Sequence, residues 1–128
     1  MNKRFSRIAL VGRVEDARVA DSMAALARHL QSRGLVVLVD VNNGAGELPD
    51  GVERRPAAEL GKDSDLIVAI GGDGTMLYAA QLANGRDIPL LGINRGRLGF
   101  LTDVSPDEMF ESLDTVLQGR YETDVRQL

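Results

Sequence analysis

The sequence predicts an α/β domain, a mainly parallel sheet held between two layers of helices. Three observations carry that expectation. Short, β-branched and nearly continuous apolar runs recur along the chain, as in "IALVGRV", "LVVLVDV" and "LIVAI". Runs of this kind, with no polar alternation, belong to strands buried on both faces. The stretches between them carry apolar residues at helical spacing, and strands alternating with helices build a parallel sheet covered on both sides.

The elements follow in order. Ile8–Val14 reads as the first strand. Asp16 is placed to cap the helix behind it, whose Val19, Met23, Leu26, Ala27 and Leu30 share one face, with Gly34 as its stop. Leu35–Val41 is the second strand. Asn42–Arg55, rich in glycine, asparagine and proline and without periodicity, reads as a loop, and Pro56–Leu60 as a single helical turn. Leu66–Ile70 is the third strand, Thr75–Ala83 a short helix ended by Asn84 and Gly85, and Pro89–Asn94 the fourth strand. Ser105, Pro106 and Glu108 form a capping box for the last helix. Its apolar face is Met109, Phe110, Leu113, Val116 and Leu117, and Gly119 closes it. The arrangement is three-layered and Rossmann-like. Ligands in such sheets bind beyond the carboxyl ends of the strands.

Composition narrows the function. The chain has 128 residues, one domain's worth, and a hydrophobic share of 44% suits a globular core. A net charge of −4 without a basic run argues against nucleic acid or an anionic membrane as partner. With no cysteine there is neither a disulfide framework nor a thiolate metal site, which suits a cytoplasmic protein. The apolar run near the N-terminus is interrupted by Arg13, unlike a signal peptide, and no stretch reaches the length of a membrane span.

The informative stretch is "LIVAIGGDGTML", Leu66–Leu77. A glycine-rich turn from a strand into a helix presents backbone N–H groups where phosphate binds well. Gly71, Gly72 and Gly74 permit a sharp turn and close approach of a ligand, and Thr75 offers a hydroxyl. Asp73 does not fit a simple phosphate cradle, because a carboxylate repels phosphate. It fits phosphoryl transfer, as a base on the attacking hydroxyl or as a metal ligand. The competing reading makes Asp73 the helix N-cap. The turn is neither a P-loop nor a dinucleotide fingerprint: after the first strand there is only Gly12, and "GAGELP" (Gly44–Pro49) lacks the third glycine and a following helix.

With "GGDGTML" and the second block "LGINRGRLGFLTDV" (Leu91–Val104), the chain resembles the NAD kinase family over nearly its whole length. GGDGT alone is shared with lipid kinases of the diacylglycerol and sphingosine type; the second block makes the likeness specific. The resemblance implies transfer of the terminal phosphate of ATP, in some members of polyphosphate, to the 2′-hydroxyl of the adenosine ribose of NAD, giving NADP. It implies a divalent cation, usually magnesium, and a homo-oligomer as the intact enzyme. By the same analogy Asp73 is the base on the 2′-hydroxyl, Gly72, Gly74 and Thr75 line the nucleotide site, and Phe100 packs near the adenine of NAD unless it is simply core. Tyr78 departs from the residues many members carry there, so no role passes to it. The family's second, β-rich domain, with its Asn-Glu segment that holds NAD, has no counterpart in the sequence. The expected organisation is therefore a nucleotide-binding domain over residues 1–120 and, at 121–128, the start of a strand leading to an absent second domain. Such a half is expected to fold without catalysing. A lipid kinase and a non-catalytic nucleotide-binding module are the alternatives.

Other polar residues carry less. His29, the only histidine, lies between Arg28 and Leu30 on a helix and reads as a surface residue. Arg95 and Arg97 either pair with phosphates or are solvated loop charges. Asp103 and Asp107 favour the positive end of the last helix.

Overall fold

The structure, a computed structural model, describes residues 5–13, 17–41, 48–84, 88–94 and 106–117. The expectations for Asp16, Phe100, Arg95, Arg97, Asp103, Gly119 and the tail at 121–128 lie outside these residues. Among the described residues five parallel strands form one sheet: β1 (Arg7–Gly12), β2 (Val36–Asp40), β3 (Glu53–Arg55), β4 (Leu66–Gly71) and β5 (Leu90–Asn94), in the spatial order β3-β2-β1-β4-β5. The helices are α1 (Ala17–Ser32), α2 (Ala57–Asp63), α3 (Asp73–Ala83) and α4 (Pro106–Leu117).

Alternate residues of the central strands feed two cores. Ile8 and Leu10 of β1 with Leu66, Val68 and Ile70 of β4 meet Val19, Met23, Leu26, Ala27 and Leu30 of α1 and Leu113 of α4. On the opposite face Ala9 and Val11 with Ile67 and Ala69 meet Leu60 of α2 and Ala79 of α3. The second face carries small residues on the central strands, so α3 can lie close. The three-layer expectation is met, and every apolar position read on α1 is buried. Gly34 also closes α1 as read: its N–H and that of Leu35 turn back onto Gln31 and Leu30 carbonyls at 2.9 and 3.1 Å.

The loop read over Asn42–Arg55 is corrected. Its last three residues, Glu53–Arg55, are the edge strand β3. Three charged residues show no apolar run, so no strand is legible there. Register with β2 and ion pairs hold it instead, since Arg55 bonds Glu53 at 2.6 Å and Asp63 of α2 at 3.2 Å. Such a short, charged edge also resists pairing with other chains. The single turn at Pro56–Leu60 extends to Asp63, and α3 begins at Asp73 rather than Thr75. Asp65 ties the amino end of the sheet, accepting bonds from the Ser6 and Arg7 amides at 2.9 and 3.0 Å.

The strand order reverses between β1 and β4. The chain moves from β1 outward to β2 and β3, then returns past β1 to β4 and β5. At the carboxyl ends of β1 and β4 the connections therefore diverge to opposite sides and leave a crevice, the usual ligand position in an open parallel sheet.

Candidate active site

The glycine-rich turn lies at that crevice. β4 is buried along its whole length and ends at Gly71, whose φ of +152° suits glycine. A Cβ on Gly71 would also stand 2.7 Å from Thr75 Oγ1, so the turn closes only with glycine there. Gly72 is the N-cap of α3, extended at φ −94° and ψ −163°, and its carbonyl accepts the first helical bond from Met76 at 3.1 Å. It has no side chain with which to cap, and the first amides of a helix have no acceptor within the helix. The turn therefore leaves the first amides of α3 without an acceptor inside the helix.

Asp73 is the first residue of α3 and is exposed. The N-cap reading of Asp73 is thus corrected: Gly72 holds that position. The carboxylate is left exposed at the positive end of the helix. Gly74 follows, with nothing within 4 Å of where a Cβ would stand, and Thr75 is buried. The second sequence block, Leu91–Val104, runs along β5 and meets this turn at Asn94, the register partner of Gly71. Two motifs separated along the chain thus meet at the carboxyl ends of adjacent strands.

A cavity of about 340 Å³ opens against the same turn. Its wall includes Gly12 and Arg13 at the end of β1, Asp40 at the end of β2, Leu60 of α2, and Gly74, Thr75 and Tyr78 of α3. The volume lies in the range of small-molecule sites, about 300–1,000 Å³. Tyr78 donates its hydroxyl to Asp40 Oδ2 at 3.1 Å. Burial, and then the hydrogen bond and charge of Asp40, raise the Tyr78 phenol above its ordinary pKa, so it stays neutral and donating. Among the described residues no three acidic, histidine or cysteine side chains gather to cage a metal.

Comparison with known proteins decides the family. The profile of the ATP-NAD kinase N-terminal domain matches residues 8–121. The chain belongs to the NAD kinase family. The NAD kinase of Nitrosospira multiformis is 42% identical over 128 residues, covering all of this chain and 44% of the relative. That of Coxiella burnetii is 44% identical over 124 residues, covering 95% and 40%. This NAD kinase family chain thus spans less than half the length of these relatives. Among solved structures, an Archaeoglobus fulgidus NAD kinase in complex with ATP superposes with a TM-score of 0.54 at 30% identity, over 88% of this chain and 37% of that one. Yeast NADH kinase complexed with NADH superposes at 0.72 with 21% identity, over 93% and 40%, which is a likeness of fold.

Of the site residues read from the sequence, Gly72, Asp73, Gly74 and Thr75 come together on one turn, and Phe100 lies outside the described residues. Arg13, Asp40 and Tyr78, to which the sequence assigns no role, also line the cavity. A signal for Asp40 was present: it is a carboxylate ending a buried strand, the same oddity that singled out Asp73. Tyr78 had none, because its approach to Asp40 spans 38 residues and depends on how α3 lies on the sheet.

Proposed function

We propose that this chain is the N-terminal, donor-binding half of an NAD kinase that transfers the terminal phosphate of ATP to the 2′-hydroxyl of the adenosine ribose of NAD, giving NADP and ADP. One observation carries the reading: Asp73 is exposed on the first turn of α3, on the glycine-rich turn that closes the central strand β4. The amides of that turn suit the donor phosphates, with Gly72, Gly74 and Thr75 lining the nucleotide site. The Asp73 carboxylate takes the proton as the 2′-oxygen attacks phosphorus and the bond to ADP breaks. A magnesium ion brought with the triphosphate would neutralise phosphate charge when bound. Residues 1–120 form the nucleotide-binding domain in this reading, and 121–128 lead into the part that the longer relatives carry. That part supplies the second wall for NAD, and Phe100, from this half, is assigned near the adenine. Cytoplasm is the compartment that suits a cysteine-free chain, and among the described residues no helix is long and apolar enough to cross a membrane.

The test is Asp73→Asn in the protein extended by the acceptor half, assayed for NADP formation from NAD and MgATP. Turnover should fall by about 10²–10⁴-fold, the usual cost of removing a general base. The melting temperature should hold, because Asp73 is exposed and is not the cap. A near-normal kcat would end the base assignment.

A further inference from the structure

We infer that Asp40, positioned by Tyr78, is the residue that recognises the ribose hydroxyls of the phosphate donor, so that the cavity between β1, β2 and α3 is a nucleoside subsite. The inference rests on the reading of this chain as the donor half.

The cavity has two chemically distinct sides. Arg13, Gly74 and Thr75 offer a cation, a backbone without a side chain and a hydroxyl, all compatible with phosphate. Asp40 is the opposite. An ionised carboxylate is an acceptor only, with about four acceptor positions. It repels phosphate oxygens and is satisfied by hydroxyl donors. A nucleotide lying with its phosphates at the α3 turn would bring its sugar, rich in such donors, toward the end of β2. Asp40 is suited to receive it, being the last residue of β2 and half-buried in the cavity wall. The Tyr78 hydroxyl bond at 3.1 Å engages Oδ2 and holds the carboxylate against the wall. Leu60 and the Tyr78 ring, both in the same wall, give the apolar surface that a base requires. Tyr78 therefore acts as a positioning residue and Asp40 as the contact.

The experiment is calorimetric titration of the 128-residue chain with ATP, with 2′,3′-dideoxy-ATP and with inorganic tripolyphosphate, repeated on Asp40→Ala and Asp40→Asn. In the unchanged chain, dideoxy-ATP should bind about 10-fold or more weakly than ATP, the size expected for hydrogen bonds to a charged acceptor. In Asp40→Ala that gap should close, and tripolyphosphate should bind as it did before. Asp40→Asn, which keeps the side-chain shape, should narrow the gap. Tyr78→Phe should weaken ATP several-fold while sparing tripolyphosphate. If the unchanged chain bound ATP and dideoxy-ATP equally, or if the gap persisted in Asp40→Ala, this assignment would be overturned while the donor-half reading stood. If neither ATP nor tripolyphosphate bound at all, both would fall together. The comparison of ligands on the unchanged chain needs no variant, so a misfolded mutant cannot obscure the outcome.

Discussion

Gly71 and Gly74 are three residues apart on one turn, yet they are glycines for different reasons. Gly71 is demanded by the fold: its φ is +152° and Thr75 Oγ1 stands 2.7 Å from where a Cβ would be. Gly74 meets nothing within 4 Å, so its lack of a side chain serves the cavity and not the packing. Gly71→Ala should therefore cost about 1–3 kcal/mol, the scale of a strained backbone position. Gly74→Ala should keep or raise stability, since glycine inside a helix costs about 0.5–1 kcal/mol against alanine, while weakening ATP. Thermal melts with and without ATP separate the two. Tyr78 gives a further expectation. Its pKa is raised in the folded chain, so the neutral phenol is favoured there. That contribution is fully present below the unfolded value of about 10 and is lost as pH rises through the folded value. Melting temperature should thus decline above about pH 10, and Tyr78→Phe should lessen the decline, measured as melts between pH 8 and 11.5 on the ordinary phenol scale.

α1 and α4 cover the same face of the sheet and are joined by more than apolar contact. His29 Nε2 meets Asp114 Oδ1 at 2.9 Å, and Arg33 Nη2 meets Asp114 Oδ2 at 2.8 Å. The His29 ring stacks on Phe110 with centroids 4.4 Å apart and planes 4° from parallel. His29 is therefore no simple surface residue: its side chain is 16% exposed and it holds two helices together. The Arg33 contribution is small, since that side chain is 51% exposed and open to screening by salt. Asp114→Ala should cost about 1 kcal/mol, mainly through the His29 bond, which corresponds to roughly 3–5 °C in a chain of this size. Arg33→Ala should cost little, and less still at high salt. Melting of both variants at low and high ionic strength checks the division. Equal losses would mean that the ion pair, and not the half-buried histidine, fastens α4.

The two cores lie on opposite faces of one sheet, and successive residues of β1 and β4 enter each in turn. Neither core can be dismantled while the other remains, because the same two strands form both. The described body should therefore unfold in a single transition. Differential scanning calorimetry should give a van't Hoff enthalpy close to the calorimetric one. A ratio well below one, or separate melting of an α1/α4 layer from an α2/α3 layer, would show that the faces are energetically independent.

Much of this molecule is legible along the chain because its signals are local. The apolar runs of β1, β2 and β4 report burial on both faces, and the spacing of Val19, Met23, Leu26, Ala27 and Leu30 reports the covered face of α1. The glycines around Asp73 report a turn that a ligand can approach. What could not be read depends on contacts between distant segments. β3 is three charged residues, and its place comes from pairing with β2 and from Asp63 on another element. Whether Asp73 or Gly72 caps α3 depends on one residue's backbone angles at the end of β4. His29 acquires its stack and its carboxylate only when α4 packs beside α1. Arg13 and Tyr78 are ordinary residues in the linear order, and Asp40 is marked there only as a carboxylate at a strand end. They become a cavity wall because strand order brings the ends of β1 and β2 together and the close approach of α3 carries Tyr78 over them. Periodicity encodes which face of an element is buried; which elements then meet is decided by packing across the whole sheet, and the nucleoside side of the candidate site exists only at that level.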